Sequence, residues 1–148
     1  MSKNDTWSQN TLDKLTLREK IAQMMIYRMN LRMKDIPVEK WEKILELIDK
    51  DGIGGVHFWY GEASTSLTML NKMQSRSKVP ILVDADIEHG LHQRFPEGTE
   101  VPPFMAIAAS GRPENAYEVG KIVAKESRAV GIHWNFSPVV DVNNNPNN

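Results

Sequence analysis

Residues 80–90 read Pro80-Ile81-Leu82-Val83-Asp84-Ala85-Asp86-Ile87-Glu88-His89-Gly90. A short apolar run passes without polar alternation into three acids. A run of that kind reads as a strand buried on both faces, as in parallel sheets. The acids then fall at its C-terminal end, where parallel α/β folds place their ligands.

Outward from this strand, helix-period and strand-like segments alternate. Just upstream, a helix is predicted over 64–77 with Leu67, Leu70 and Met73 inward. Before it, Gly54-Gly55-Val56-His57-Phe58-Trp59-Tyr60 is β-prone and opened by glycine. Residues 37–50 read as a helix with the stripe Val38, Trp41, Leu45, Ile48, and Gly52 suits a left-handed stop. Thr16-Leu17-Arg18-Glu19 has capping-box spacing, and Leu17, Ile21 and Met24 follow on one helical face. The run from Met24 to Met29 ends that helix or starts a strand; periodicity leaves both open. Met24, Met25, Met29 and Met33 read as adaptable core filler.

Downstream, a loop carries Pro96, Gly98, Pro102 and Pro103. A helix is predicted from Pro113, with Ala116, Val119, Val123 and Val130 facing the core and Gly131 ending it. A last strand is predicted over 133–142, before the run Asn143 to Asn148. Strands alternating with helices imply βαβ units and a parallel sheet. A complete (β/α)8 barrel takes about 250 residues, so this chain is too short to be one whole.

The chain has 148 residues, 41% hydrophobic and 25% charged, with 18 Lys+Arg against 19 Asp+Glu. Those values describe one ordinary globular domain. The charge balance argues against a polybasic arm, and no nucleic-acid partner is expected. No run approaches the ~20 apolar residues of a bilayer helix, so no membrane partner is expected. A polar start, MSKNDTWSQN, does not read as a secretory signal, and a cytoplasmic location is expected. Zero cysteine removes disulfides, thiolate metal sites and a cysteine nucleophile.

The candidate site lies just after Val83, Phe58 and Val140. On an extended backbone Asp86 and Glu88 point the same way. Such a pair can bind hydroxyls, hold a metal or act as acid and base; it can also be a solvated or ion-paired loop element. Arg94 is a partner for one of these acids or a donor to a ligand oxygen. His57 reads as a hydrogen-bonded wall residue and His133 as structural. His89 and His92 flank the acids, but no metal-ligand spacing is present and no metal or cofactor is expected. Trp59 and Tyr60 stack on a ring or simply pack. The glycines from Gly52 to Gly55 precede a strand, whereas a phosphate-binding fingerprint follows one.

Several segments in order resemble the N-terminal domain of glycoside hydrolase family 3. They are LTLREKIAQMM, IGGVHFWYGE, PILVDADIEHG with QRF after it, and VPPFMAIAASGRPENAYEVGKIVAKESRAVGIHWNFSPVVDVNNNPNN. Its end, NFSPVVDVNNNPNN, looks most like the β-N-acetylhexosaminidase branch, with the β-glucosidase branch next. The resemblance implies roughly the first half of a (β/α)8 TIM-type barrel of the α/β class, over residues 12–148, behind a polar tail of residues 1–11. It also implies retaining hydrolysis of terminal β-linked sugars through a glycosyl-enzyme. The acid of the family's D-x-E-x-G motif falls on Asp86 and implies hydroxyl recognition. Arg94 matches the downstream arginine of the same pocket, Glu88 the motif's second acid in a supporting role, and His89 completes the substrate-binding set.

Three departures stand out. His89-Gly90 replaces a frequent Gly-Gly, Asp84 stands where a small or apolar residue is expected, and His133 stands where Asn is frequent. The family's nucleophile, its Lys-His segment, a further Arg and its acid/base loop match nothing in these residues. The expectation is therefore a truncated enzyme segment, inactive by itself, with no catalytic residue of its own. A complete non-catalytic module that binds a sugar or a protein is the alternative. Half a barrel also exposes sheet edges and an inner face, so Val56, Leu82 and Val139 are expected to lose packing partners and self-association is expected.

Overall fold

A computed structural model describes residues 3–29, 35–142 and 144–147. Backbone amides of the strand segments find their partners in one sheet of four parallel strands: β1 (Ile26–Met29), β2 (Gly55–Phe58), β3 (Leu82–Ala85) and β4 (Trp134–Asn135). The spatial order equals the chain order. Parallel neighbours need crossovers, and helices α3 (Val38–Glu46), α4 (Ala63–Arg76) and α6 (Pro113–Ala129) supply them. Helices α1 (Lys3–Lys14) and α2 (Leu17–Ala22) precede β1, and a short α5 (Phe104–Ala109) precedes α6. Four parallel strands in sequential order form an arc of barrel wall.

Local signals explain the boundaries. Thr16 Oγ1 accepts from the Glu19 amide, and Glu19 accepts from the Thr16 amide at 2.7 Å, so the capping box starts α2. After α3 the chain widens into one π turn over Leu47–Asp51, which Gly52 ends at φ +71°. Pro113 opens α6, and Gly131 leaves it at φ +84°.

Residues in register on parallel strands share a face of the sheet. Val56 and Val83 form one row, and Met29 and Phe58 another; all four are buried against the helices. Ile44, Ile48, Leu70, Met73 and Ile132 complete that core. Phe58 stacks on Phe95 with ring centres 4.8 Å apart, which joins the sheet to the loop after β3. The opposite face carries the rows Ile26, Gly55, Leu82 and Arg28, His57, Asp84, Trp134. Among the described residues no helix covers this inner face, and Leu82 and Trp134 are 48% and 47% exposed.

Several expectations need correction. Residues 3–11 of the segment read as a polar tail are helical within α1. The Met24–Met29 run resolves into a turn and β1. Leu17, Ile21, Met24 and Met25 are exposed rather than buried: α2 lies beside β1, the edge strand, and no described residue packs outside it. Met33 lies outside the described residues. Val38 is exposed at the first position of α3, and Ile44 takes its place in the core. Ala116 is exposed and Val119 only half-buried, since their face of α6 borders an open groove. The strand expected over 133–142 pairs only at Trp134–Asn135. Beyond it Pro138 offers no amide, and Val139, Val140 and Val142 are exposed. Val139 therefore lacks cover, and Leu82 half does, but Val56 is completely buried because its side chain faces the helices.

Candidate functional site

The register places four unlike side chains in one line across the inner face: Arg28, His57, Asp84 and Trp134. His57 Nδ1 hydrogen-bonds to Asp84 Oδ1. Asp84 is completely buried, and its second oxygen has no hydrogen-bond partner among the described residues. Burial pushes this carboxyl up from its ordinary value; the His57 contact works in the other direction. His57 Nε2 lies 3.8 Å from Asp86 Oδ2.

Asp86 sits one residue beyond β3, where the backbone has left the sheet. Its carbonyl accepts from Arg94 Nε at 2.7 Å, and Arg94 Nη2 lies 3.8 Å from its Oδ2. Arg94 is buried, ending a single 3-10 turn (Leu91–Gln93). Burial draws its guanidinium down from the usual value, while the charges of Asp86 and then Glu88 oppose that. The Arg94 guanidinium carbon lies 4.5 Å from the Trp59 ring centre, and that of Arg28 4.7 Å. The indole therefore holds two cations near the mouth. Phe136 stacks on the His57 ring at 6.3 Å and meets Trp134 edge-on.

Asp86 and Arg94 thus stand together at the C-terminal end of β3, beside the ends of β2 and β4. Glu88 diverges from the expected shared direction. The strand stops at Ala85, and Gln93 Oε1 accepts from the amides of Glu88 and His89, which bends the chain. Glu88 then borders the groove between α5 and α6 rather than the His57 side. His89 is exposed, with its carbonyl accepting from the Val101 amide. Its neighbour Gly90 alone carries the left-handed turn, at φ +82°, so His89 does not hinder the loop. Asn135 spans to the same loop: its amide oxygen accepts from the Ile87 N–H and its amide nitrogen donates to the Ile87 carbonyl. His133 Nδ1 accepts from the Val83 amide, and burial lowers its pKa.

Sequence reasoning assigned Asp86 and Arg94 to one pocket but missed that His57 and Asp84 form a pair behind them. The two lie 27 positions apart. The available signal was phase: each is the residue of its strand that follows a buried valine.

The two ends of the sheet are open. A groove of about 630 Å³ lies along α5, α6 and the segment after β4. Another of about 510 Å³ lies along α2 and β1.

An arc of parallel strands joined by helices is part of the wall of a parallel α/β barrel. The chain belongs to glycosyl hydrolase family 3: residues 16–148 match the profile described as "Glycosyl hydrolase family 3 N terminal domain". A β-N-acetylglucosaminidase/β-glucosidase of Cellulomonas fimi is 36% identical over 93 residues, covering 63% of this chain and 16% of that protein. β-Hexosaminidase A of Pseudoalteromonas piscicida is 29% identical, covering 72% of this chain and 20% of that protein. The chain therefore spans a fifth or less of the length of these relatives. Among solved structures, the β-glucoside phosphorylase BglX bound to 2FGlc superposes with a TM-score of 0.85 at 26% identity, covering 100% of this chain and 26% of that one. NagZ from Neisseria gonorrhoeae shares the fold with a TM-score of 0.60 at 22% identity, over 80% of this chain and 37% of that one.

Proposed function

We propose that this segment supplies one wall of the sugar pocket of a retaining glycosidase acting on terminal β-linked sugars. β-N-Acetylhexosaminides are the first substrate class and β-glucosides the second. The observation that carries the reading is the pairing of Asp86 with Arg94 beside the ends of three parallel strands. Asp86 accepts hydrogen bonds from hydroxyls of the terminal sugar. Arg94 orients that carboxylate, through its contact with the carboxylate and its bond to the backbone. Glu88 supports Arg94 from a distance, and His89 borders the mouth. The nucleophile and the acid/base come from outside these residues, as the family resemblance implies. The relative that carries both enzyme names keeps β-glucosides in view as the second class.

Binding of methyl N-acetyl-β-D-glucosaminide and methyl β-D-glucopyranoside, followed by NMR on the labelled chain, tests the pocket. Asp86→Ala is expected to weaken binding about tenfold or more, the loss of one hydrogen bond to a charged acceptor. Equal binding by Asp86→Ala refutes it. Aryl glycosides are expected to show no turnover with this segment alone; turnover abolished by Asp86→Ala would overturn the assignment of the reacting groups elsewhere.

The same reading covers assembly and location. The free edges at β1 and β4 and the uncovered inner face support association with matching barrel wall, including self-association of the isolated segment. A chain without cysteine suits the reducing cytoplasm, although relatives named as lysosomal and periplasmic are known. Among the described residues, no helix is long and apolar enough to cross a membrane.

A further inference from the structure

The buried pair behind Asp86 has a chemical consequence of its own. Asp84 is fully enclosed, one of its oxygens has no hydrogen-bond partner among the described residues, and the other meets His57 Nδ1. A buried carboxylate in that position needs a donor, and the imidazole is the one it has. With the proton on Nδ1, Nε2 is left as an acceptor. That acceptor faces Asp86 Oδ2 at 3.8 Å, too far for a hydrogen bond. Two acceptors side by side call for donors. The nearby cation, Arg94, has its Nε engaged by the Asp86 carbonyl and its Nη2 3.8 Å from Asp86 Oδ2. The Arg28 guanidinium is stacked on Trp59. Trp59 and Phe136 lie beside the imidazole, with ring centres 6.0 and 6.3 Å from it, and offer apolar faces to a ring ligand.

We propose that His57 is a second hydroxyl acceptor of the pocket, presented by Asp84, and that it takes one of two adjacent sugar hydroxyls while Asp86 takes the other. The inference rests on the reading of Asp86 given above. Asp84 does not touch the sugar; it is a positioning residue that sets the imidazole tautomer.

Long-range proton–nitrogen spectra of the labelled chain, just above neutral pH, read the tautomer directly. His57 is expected to show a protonated Nδ1 and an unprotonated Nε2. Methyl β-D-glucopyranoside at tens of millimolar is expected to move the Nε2 resonance in the direction of an accepted hydrogen bond. The double variant His57→Phe/Asp84→Leu keeps a ring between Trp59 and Phe136 and leaves no orphaned carboxylate. It is expected to bind the sugar about fivefold more weakly, the loss of one neutral hydrogen bond. Asp84→Asn is expected to move the proton toward Nε2 and to weaken binding by a similar factor. A proton on Nε2 in the native chain overturns the proposal. So does an Nε2 signal that stays still while the Asp86 and Arg94 resonances respond to sugar. If those two are silent as well, the pocket reading itself fails, and this inference falls with it.

Discussion

Replacing Phe95 with leucine tests whether the site loop is held by the core. Phe95 and Phe58 are both essentially unexposed, and their rings are parallel to within 4° at 4.8 Å. Phe95→Leu removes the stacked pair, worth about 0.5–1.5 kcal/mol beyond area. The change of shape in a close-packed core adds about 1 kcal/mol. The sum is about 2 kcal/mol. With a urea slope of about 2 kcal/mol per molar, the unfolding midpoint falls by about 1 M. Far-UV circular dichroism at low protein concentration follows it. A cycle with Phe58→Leu then isolates the ring pair, and the coupling is expected to be about 1 kcal/mol. A coupling below about 0.3 kcal/mol, the limit of ordinary additivity, would refute the idea that this stack joins loop to sheet.

Other outcomes follow from the same geometry. Thr16→Ala removes the capping box and is expected to cost about 1 kcal/mol in urea unfolding. Its partner Glu19 is held down from 4.5 to about 2, first by Lys78 and then by the Thr16 amide. A depressed carboxylate stabilises above its unfolded value, so that contribution is complete above pH 4.5 and fades as pH falls toward 2. The Thr16→Ala deficit should shrink over that interval; a constant deficit contradicts the assignment. Gly90→Ala places a Cβ 2.2 Å from the Thr99 carbonyl oxygen at φ +82°, and at least about 1–2 kcal/mol should be lost along with sugar binding. An unchanged melting temperature would count against the described loop. Leu82→Lys on the uncovered face should alter stability by no more than about 0.5 kcal/mol, yet reduce concentration-dependent association in sedimentation. A native chain that stays monomeric at every concentration contradicts the role given to that face.

Much of the fold was legible because its signals are local. The Thr16 cap, the Gly52 stop, Pro113 and Gly131 act within a few residues of themselves. The buried strand at Ile81–Val83 stood out because apolar residues ran straight to the acids. Long-range effects were not legible. The alternation from His133 to Val142 looks like a strand, but a strand exists only where a neighbour pairs with it, and pairing ends at Asn135. Leu17, Ile21 and Met24 have the spacing of a core face, but spacing does not say whether anything lies opposite. Helix α5 was hidden in a proline-rich stretch, although Pro103 stands just before its first residue. In the candidate site, Asp86 and Arg94 were singled out by their place after a strand and by a motif. Glu88 was misdirected by assuming an extended backbone past Ala85. His57 and Asp84 needed the register between two strands, which no single segment contains.

The side chain of Asn135 behaves as a surrogate peptide group. It offers Ile87 the donor and acceptor that another strand residue would have offered. The acid-bearing bend is thereby clasped from the far edge of the sheet, by the last residue that still belongs to it. A protein shortened to stop before that asparagine would keep Asp86 and Arg94 in its sequence but lose the clasp that steadies them. Any division of this barrel into separately expressed pieces should therefore be made after β4.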